Sequence, residues 1–347
     1  MDMERLFSER AREAFLGKDA LFIRGGRTKG FLGRPCSAEL MDVSGHCGIV
    51  EYDPKELVIT ARCGTKMEEI ERVLSDSNQM LAFEPPKFGN QATLGGTIAC
   101  GLSGPRRPHA GALRDHLLGC RIVNGRGEIL NFGGKVMKNV AGFDASRLMA
   151  GAFGTLGLIL EASLKVLPTP AASLTVTREC ASNEAIRLMN DLASQPIPLD
   201  GAAHAGGICH LRLSGSSQAV LEARASLGGE LLENHESFWE ALREHRLSFF
   251  DAGKLWRIAC PPAAAMPDPG GEWLIEWGGA QRWLKSEAPN EEVRRIATSM
   301  GGHATLYRGE GDPFHPLPPS LFALHKRIKD AFDPHGIFNR GILYPEF

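Results

Sequence analysis

The sequence lacks the features that mark secreted, membrane-spanning and metal-cluster proteins. Its eight cysteines are scattered, and none forms the C-x-x-C pairs that hold zinc or an iron–sulfur cluster. The amino terminus is charged and amphipathic without the apolar core of a signal peptide. No segment carries about 18 uninterrupted apolar residues. We therefore expect free thiols in a reducing cytosol and no transmembrane segment.

An excess of charge of one sign is also missing. Lys and Arg total 39 against 41 Asp and Glu, which gives a formal net charge of -2 without long runs of like charge. This balance favours neither a nucleic acid nor an anionic membrane surface as a partner. The 347 residues exceed the size that one core usually serves, so the length predicts two domains.

Two common nucleotide-binding fingerprints are absent as well. No G-x-G-x-x-G follows a strand and no G-x-x-x-x-G-K-[ST] occurs, which argues against the Rossmann and P-loop folds. Histidines and acids do not cluster either, since His204 and His210 stand six residues apart without an acidic neighbour. We interpret such lone histidines as packing or surface residues, expect no metal site, and assign no catalytic residue.

Short apolar runs alternate with helical segments in the first half of the chain. Residues 20–24 predict a buried strand that ends at a glycine turn, and residues 48–52 and 57–62 predict two further strands. Thr65 followed by Glu68 predicts a capping box at the start of a helix. This alternation indicates an α+β fold.

A proline-rich boundary at 168–170 separates this half from a second pattern. Residues 208–213 predict a strand and 218–227 a helix, and 273–277 and 290–300 repeat the pair. We expect a second, smaller sheet with helices on one face. The predicted domains are residues 1–170, residues 171–320, and a closing segment 321–347 that returns to the first domain.

The first glycine-rich segment is IRGGRTKGFLG, residues 23–33. Gly25 and Gly26 let backbone N–H groups converge, as a pyrophosphate requires, while Thr28 adds a hydroxyl and Lys29 a positive charge. For this segment alone, a strand that simply ends in a Gly-Gly turn stays the favoured alternative.

The second glycine-rich segment runs from Pro85 to Asp115 and is the stronger signal. Glycine is costly in conformational entropy, so a dense run of it favours close approach of backbone to a ligand. Apolar residues interleave the glycines, which argues against a loose loop. The small or hydroxyl residues are Thr93, Gly95, Gly96, Thr97, Gly101, Ser103, Gly104 and Gly111.

Together these segments resemble the FAD-binding domain of the p-cresol methylhydroxylase and vanillyl-alcohol oxidase superfamily, which has a Gly-rich turn and a later T-[VIL]-G-G. A Gly-Thr-Leu-Gly turn at 154–157 and the terminal FDPHGIFNRG agree with this resemblance. Within the superfamily, GAFGTLG is similar to the E-subunit family of glycolate oxidase, because Ala152 and Phe153 stand where catalytic relatives have Ser and Glu. A Lys-Asn-x-x-Gly-Phe-Asp element also matches, as Lys138, Asn139, Gly142, Phe143 and Asp144.

The resemblance implies a two-part FAD-binding domain of the p-cresol methylhydroxylase type with a smaller α+β cap domain. It places the FAD diphosphate on residues 25–29, the ribityl chain and flavin along 93–96 and 101–104, and the adenosine side near Gly157 and Ile159. The implied cofactor-binding residues are Gly25, Gly26, Arg27, Thr28, Lys29, Pro86, Thr93, Leu94, Gly95, Gly96, Ala99, Gly101, Ser103, Gly104, Gly111, Gly154, Gly157, Ile159 and Asn339.

Several positions depart from the pattern or stay ambiguous. Arg27 stands where many relatives have a third glycine, and Arg340 replaces a commoner proline. Some superfamily members tether the flavin through a histidine in the second segment, but His109 is alone, so we expect noncovalent FAD. Arg106 and Arg107 either stabilise the reduced flavin or phosphates, or form a solvated pair.

The resemblance implies an FAD-dependent oxidoreductase subunit that acts on CH–OH groups, oxidising glycolate or a similar small 2-hydroxy acid. Such chemistry needs a base and a carboxylate clamp, and neither is evident in the sequence. We therefore expect a catalytic flavoprotein subunit and an iron–sulfur subunit as partners in the cytoplasm, with peripheral attachment to the inner membrane left open. The alternatives are a self-sufficient oxidase or dehydrogenase for another alcohol or hydroxy acid, and a non-catalytic assembly subunit.

Overall fold

Two β-sheets organise the computed structural model, which describes residues 2–134, 144–267 and 270–347. The first sheet has five strands and the second has eight. The elements up to residue 168 are α1 (Met3–Gly17), β1 (Leu21–Arg24), β2 (Glu39–Asp42), β3 (Ile49–Asp53), β4 (Val58–Arg62), α2 (Met67–Ser75), β5 (Gln79–Met80), α3 (Leu94–Cys100), α4 (Arg107–Ala110), α5 (Leu113–His116), β6 (Leu117–Val123), β7 (Ile129–Gly133), β8 (Leu158–Lys165) and β9 (Leu167–Pro168), with a 3-10 turn at Ala145–Met149. The elements after residue 168 are β10 (Ala172–Glu179), α6 (Ser182–Ala193), β11 (Leu199–Ala205), β12 (Ile208–Gly215), α7 (Ser217–Leu227), β13 (Glu230–Leu231), α8 (His235–Arg243), β14 (Leu255–Ala259), β15 (Glu272–Glu276), β16 (Gln281–Lys285), α9 (Asn290–Ser299), β17 (His303–Arg308) and α10 (Pro319–Phe332), with 3-10 turns at Ser248–Phe250 and Trp277–Gly279.

The five-stranded sheet has the order β3-β4-β8-β6-β7 and is antiparallel throughout. Helix α2 packs on it because Met67, Ile70 and Leu74 recur at helical spacing and are all fully buried. Beside the sheet, β1 and β2 form a parallel pair, and Leu21 of β1 also bridges to Phe338. The carboxyl-terminal segment therefore returns to the β1–β2 pair beside the first sheet.

Helices cover only part of the eight-stranded sheet, whose order is β13-β10-β12-β11-β15-β16-β14-β17. Val220 of α7 and Met189 of α6 belong to the core over one half. Val293 of α9 packs with Trp256 and Ile258 of β14 over the other half. The expected α+β fold class is thus confirmed, with mixed sheet and helix in both halves.

The expected size of the second sheet was wrong, because it has eight strands against five in the first. Strand β11 shows why the sequence did not predict the size of this sheet. Its residues, LDGAAHA, include no Val, Ile, Thr, Phe, Tyr or Trp, although most of them are buried. Burial between neighbouring strands and helices makes this segment a strand.

The predicted capping box was also wrong, whereas the strand pair before it is confirmed as β3 and β4. Helix α2 begins at Met67 with Lys66 at its N-cap and no side-chain cap. The Thr65 hydroxyl instead accepts a hydrogen bond from Gly48 N at 2.9 Å and lies 3.1 Å from Gly48 O. Because the Thr65 hydroxyl bonds to Gly48, just before β3, it does not cap the helix.

A buried ion cluster joins the loop before α4 to the eight-stranded sheet. Arg212 Nη1 and Arg106 Nε lie 3.0 and 3.3 Å from Glu84 Oε1, and Arg106 Nη2 lies 3.0 Å from Asp200 Oδ2. Burial would raise the pKa of Glu84, but Arg212 and Arg106 lower it overall. Arg107 stacks on Trp277, 4.4 Å from the ring centroid. These contacts replace the solvated pair that was one reading of Arg106 and Arg107.

Candidate functional site

A cleft of about 330 Å³ lies where β1, α3, the turn before β8 and the carboxyl-terminal segment meet. This volume falls at the lower end of the roughly 300–1,000 Å³ that is usual for ligand sites. Thirteen of the predicted cofactor-binding residues line the cleft: Gly25, Gly26, Arg27, Thr28, Lys29, Thr93, Gly95, Gly96, Ala99, Gly154, Gly157, Ile159 and Asn339. Both glycine-rich segments therefore face the same space.

Six of the predicted residues lie outside the lining of this cleft: Pro86, Leu94, Gly101, Ser103, Gly104 and Gly111. The backbone N–H groups of four of them already have acceptors within the protein. These acceptors are Thr65 O for Leu94, Ile98 O and Thr97 O for Gly101, Phe83 O for Gly104, and Arg107 O for Gly111. Pro86, Ser103 and Gly104 line a second, smaller cavity instead.

The turn after β1 is pressed against the start of α3, which explains its two glycines. A Cβ atom on Gly26 would lie 1.5 Å from Gln91 O, and one on Gly25 would lie 2.5 Å from Thr93 Oγ1. Arg27 follows with a φ of 59°, in the left-handed region that favours glycine. The fold therefore accommodates an arginine where many relatives have a third glycine, at a cost of about 1–2 kcal/mol in backbone energy.

The N–H groups of this turn are free of protein acceptors. In the described part of the chain, no backbone or side-chain acceptor pairs with the N–H group of any residue from 25 to 29. Residues 25, 26, 28 and 29 are buried or half-buried, and N–H groups in such positions are nearly always paired, so this turn marks a site for an external acceptor. Successive free amides form the concave surface that binds anions.

Lys29 adds a buried positive charge to the same turn. Its side chain is only 8% exposed, and its Nζ lies 3.5 Å from Lys87 O, with no carboxylate in ion-pair range within the described residues. Burial lowers the pKa of Lys29, since the charged form is desolvated. An anionic ligand would offset that desolvation, and a diphosphate therefore fits the donors present.

Asn339 holds two walls of the cleft together. Its Oδ1 accepts from Ile23 N at 2.8 Å, and its Nδ2 donates to Phe153 O at 2.6 Å. Its own backbone N–H donates to Leu21 O at 2.9 Å. The side-chain amide is thus already engaged with β1 and with the turn before β8, so its evident role is to position the cleft.

The other candidates from the sequence lie elsewhere. His109 is exposed on α4 and does not line the cleft. His204 Nε2 lies 2.9 Å from Cys180 O, and His210 stacks on Phe238 at 3.9 Å between ring centroids. Of the Lys-Asn-x-x-Gly-Phe-Asp element, Lys138, Asn139, Gly142 and Phe143 lie outside the described residues. Among the described residues, no three His, Cys, Asp or Glu side chains are grouped as metal ligands would be.

Polar side chains that the sequence analysis did not single out line the second cavity: Arg243, His245, Arg257, Glu276, Gln281 and Tyr307. The sequence did contain a signal for two of them. Arg257 stands within the otherwise apolar LWRIA, and Glu276 ends EWLIE directly after the apolar Trp273, Leu274 and Ile275. A charge in such a run is unusual unless it serves a partner or a ligand.

Acid is expected to destabilise the protein through two histidines, the buried His210 and the half-buried His245. Burial lowers the pKa of His245 to about 3 and that of His210 to about 4, against an ordinary value near 6.5. Below pH 6.5 the unfolded chain therefore takes up protons that the folded chain does not. Each histidine lowers the free energy of unfolding by about 1.4 kcal/mol per pH unit until its folded pKa is reached.

Urea unfolding at several pH values between about 7 and about 4.5 measures this loss of stability. Over this range the histidines of the unfolded chain take up protons, while His245 and His210 in the folded chain stay largely neutral. The His245→Phe variant keeps a ring against Phe250, on which His245 stacks at 4.2 Å, and should lose less stability on acidification than the parent. His325→Gln on α10 is the control and should follow the parent. Equal acid sensitivity of parent and His245→Phe would contradict the assignment.

Known proteins resemble this chain in sequence and in fold. Residues 11–133 match the family described as FAD binding domain. The glycolate oxidase subunit GlcE of Escherichia coli (strain K12) is 48% identical over 346 residues, which is 99% of this chain and 98% of that protein. The glycolate oxidase subunit GlcD of Bacillus subtilis (strain 168) is 34% identical over 130 residues, 37% of this chain and 27% of that one.

More distant proteins also match this chain, one in sequence and one in fold. A D-lactate dehydrogenase of Archaeoglobus fulgidus is 27% identical over 321 residues, 75% of this chain and 72% of that protein. A solved structure of alkyldihydroxyacetonephosphate synthase superposes with a TM-score of 0.65 at 16% identity, covering 96% of this chain and 73% of that one. No helix in the described residues is long and apolar enough to cross a membrane.

The similarity to GlcE extends over both chains almost from end to end, while the FAD binding domain match covers the first glycine-rich turn and the segment that opens α3. The predicted cofactor, FAD, and the predicted family are therefore confirmed. The chain belongs to the family of GlcE-type glycolate oxidase subunits.

Proposed function

We propose that this chain is the FAD-binding subunit of a glycolate oxidase or dehydrogenase complex and holds FAD noncovalently in the cleft. The observation that carries the proposal is the turn at residues 25–29, where the five successive N–H groups have no acceptor among the described residues and the Lys29 side chain is buried. Bound FAD would supply the acceptor for the two electrons removed from the CH–OH group of the substrate.

In this proposal, different residues of the cleft bind different parts of the cofactor. The N–H groups of residues 25–29 and the Lys29 ammonium bind the diphosphate, because within the described ranges neither has a protein acceptor of comparable strength. Thr93, Gly95, Gly96 and Ala99 lie along the ribityl chain and flavin. Gly157 and Ile159 lie on the adenosine side, and Asn339 fixes the walls between them.

The proposal extends to partners. Both GlcE and GlcD are named as subunits of glycolate oxidase, and this chain is similar to each. We infer assembly with a catalytic flavoprotein subunit and with an iron–sulfur subunit that accepts the electrons, in a cytoplasmic complex attached to the inner membrane through its partners. Co-purification from the native host, with flavin and iron counted per complex, tests this assembly. A chain recovered alone from the host would contradict it.

Anaerobic titration of the purified chain with glycolate separates the three functions. FAD that is bound but stays oxidised until the partner subunits are added supports the proposal. FAD that is bleached by glycolate or D-lactate in the isolated chain indicates a self-sufficient oxidoreductase. A chain without FAD that still joins the complex indicates an assembly subunit.

Noncovalent attachment gives a separate expected result. Acid precipitation of the holoprotein should release all the flavin into the supernatant, because the exposed His109 does not line the cleft. The His109→Ala variant should bind FAD as the parent does. Yellow colour that stays with the precipitated parent chain, and is lost in His109→Ala, would show a covalent bond.

A further inference from the structure

A carboxylate from the second half of the chain reaches the glycine-rich half beside the FAD cleft. Glu244 directly follows α8, and its side chain is only 9% exposed. Its Oε2 accepts hydrogen bonds from Lys87 N at 3.0 Å and from Phe88 N at 2.7 Å. These two residues belong to the loop that leads into α3, so Glu244 connects the two halves of the fold.

The position of Glu244 is unfavourable for a carboxylate unless it serves such donors. It stands at the C-cap of α8, where the partial negative charge of the helix end favours cations. Arg243 Nε lies 2.9 Å from Glu244 Oε1 and offsets part of this cost. The contact with the loop, and not the stability of α8, therefore accounts for a carboxylate at this position.

The backbone of Phe88 is held in a strained conformation. Its φ is 53°, in the left-handed region that a bulky side chain rarely adopts. Such strain persists only where the surrounding structure holds it, and it clusters at functional sites. The hydrogen bond to Glu244 holds the Phe88 backbone, while its ring packs 5.5 Å from that of Phe31 and 5.0 Å from that of His245, between centroids. Loss of Glu244 should therefore let residues 87 and 88 relax.

Both residues that Glu244 holds also contact Lys29. Lys29 Nζ lies 3.5 Å from Lys87 O and 5.8 Å from the centroid of the Phe88 ring. A cation at that distance from the face of an aromatic ring is attracted to it. Because no carboxylate of the described residues lies in ion-pair range of Lys29, these two contacts direct its ammonium.

Glu244 also acts on Lys29 through its charge. Burial lowers the pKa of Lys29, whereas the side chains of Cys100 and Glu244 oppose the decrease. Lys29 lines the FAD cleft, but Glu244 and its two partners in the loop do not. Lys29 is thus the route by which Glu244 reaches a ligand in the cleft.

We propose that Glu244 is a positioning residue for the cofactor, because by holding residues 87 and 88 it directs the Lys29 ammonium toward the diphosphate of FAD. The inference rests on the proposed function, since it takes the diphosphate to lie beside Lys29. It makes the affinity for FAD depend on the docking of α8, an element of the second half that does not line the cleft. Residues that act through a packed network without touching the ligand change its affinity by about 10-fold.

The test is titration of the full FAD-free chain with FAD, followed by the quenching of flavin fluorescence. Glu244→Ala should bind FAD about 10-fold more weakly than the parent, because the loop no longer fixes Lys29. Glu244→Gln keeps an oxygen acceptor for the two N–H groups and should lose only about 3-fold. Glu240→Ala is the matched control and should bind as the parent does, since Glu240 lies one turn earlier on α8 and pairs with the exposed Arg246.

A double-mutant cycle with Lys29→Met separates the positioning of Lys29 from a general effect on the fold. In the Lys29→Met background, Glu244→Ala should change the affinity for FAD by less than about 2-fold, since the two residues act as one unit. If Glu244→Ala does not fold by circular dichroism, Glu244→Gln takes its place in the cycle. Parent-like binding by the single Glu244 variant, or its full loss of affinity repeated in the Lys29→Met background, would overturn the inference alone. A parent chain that binds no FAD would overturn the proposed function together with it.

Discussion

Substituting Gly26 by alanine should lower the affinity of the chain for FAD by at least about 100-fold. The new Cβ would lie 1.5 Å from Gln91 O, a backbone atom, so the turn must move away from the start of α3. That movement displaces the unpaired N–H groups of residues 25–29 from any diphosphate they bind. Loss of two charge-assisted hydrogen bonds, at about 1.5–3 kcal/mol each, gives the expected effect. Quenching of flavin fluorescence on titration with the FAD-free chain measures it.

Gly45→Ala is the matched control for this experiment. Gly45 lies outside the cleft lining, and a Cβ there would contact only the Met3 side chain, at 3.5 Å. This variant should bind FAD as the parent does. If Gly26→Ala is folded and binds FAD with the affinity of the parent, the diphosphate does not lie on this turn.

Asp333→Ala should lower the free energy of unfolding by about 3–5 kcal/mol, because it leaves a buried ammonium without its counter-ion. Lys329 Nζ lies 2.6 Å from Asp333 Oδ2 and donates to Thr155 O at 2.7 Å, and both side chains are buried. The Asp333 carboxylate also accepts from the N–H groups of Ile337 and Phe338. Those two residues lead directly into Asn339, which holds two walls of the proposed FAD cleft together. Loss of the Asp333 carboxylate should therefore also lower the affinity of the cleft for FAD.

Urea unfolding of the parent and of Asp333→Ala measures the change. Asp330→Ala is the control, since Asp330 pairs with Lys326 on the exposed face of α10, three residues before Asp333. Exposed pairs of this kind contribute well under about 1 kcal/mol. Equal losses in the two variants would show that the Lys329–Asp333 pair does not stabilise the carboxyl-terminal segment.

The first half of the fold could be predicted because local signals and tertiary structure agree there. The glycine turn after β1 and the strand pair β3 and β4 follow from apolar runs and turn residues, while α2 was expected from a capping box that the structure does not contain. The second sheet could not be read in the same way. Strands such as β11 are made of small residues, and their neighbours in space, not their own composition, decide that they are strands.

The residues of the candidate site also differ in how far the sequence predicts them. Glycines that must approach another backbone, such as Gly26, stand out in a sequence because few other reasons account for them. The predicted residues of the second segment were less well placed, because Leu94 and Gly104 use their N–H groups within the fold. Arg257 and Glu276 come from different strands, β14 and β15, and only the folded sheet brings them to one cavity.

The most direct test of the central claim is a crystal structure of the chain with FAD bound. We predict that the diphosphate lies within hydrogen-bond distance of the N–H groups of residues 25–29 and of Lys29 Nζ, with the flavin extending toward Ala99. FAD bound in another part of the chain, or a diphosphate that makes no contact with this turn, would contradict the account.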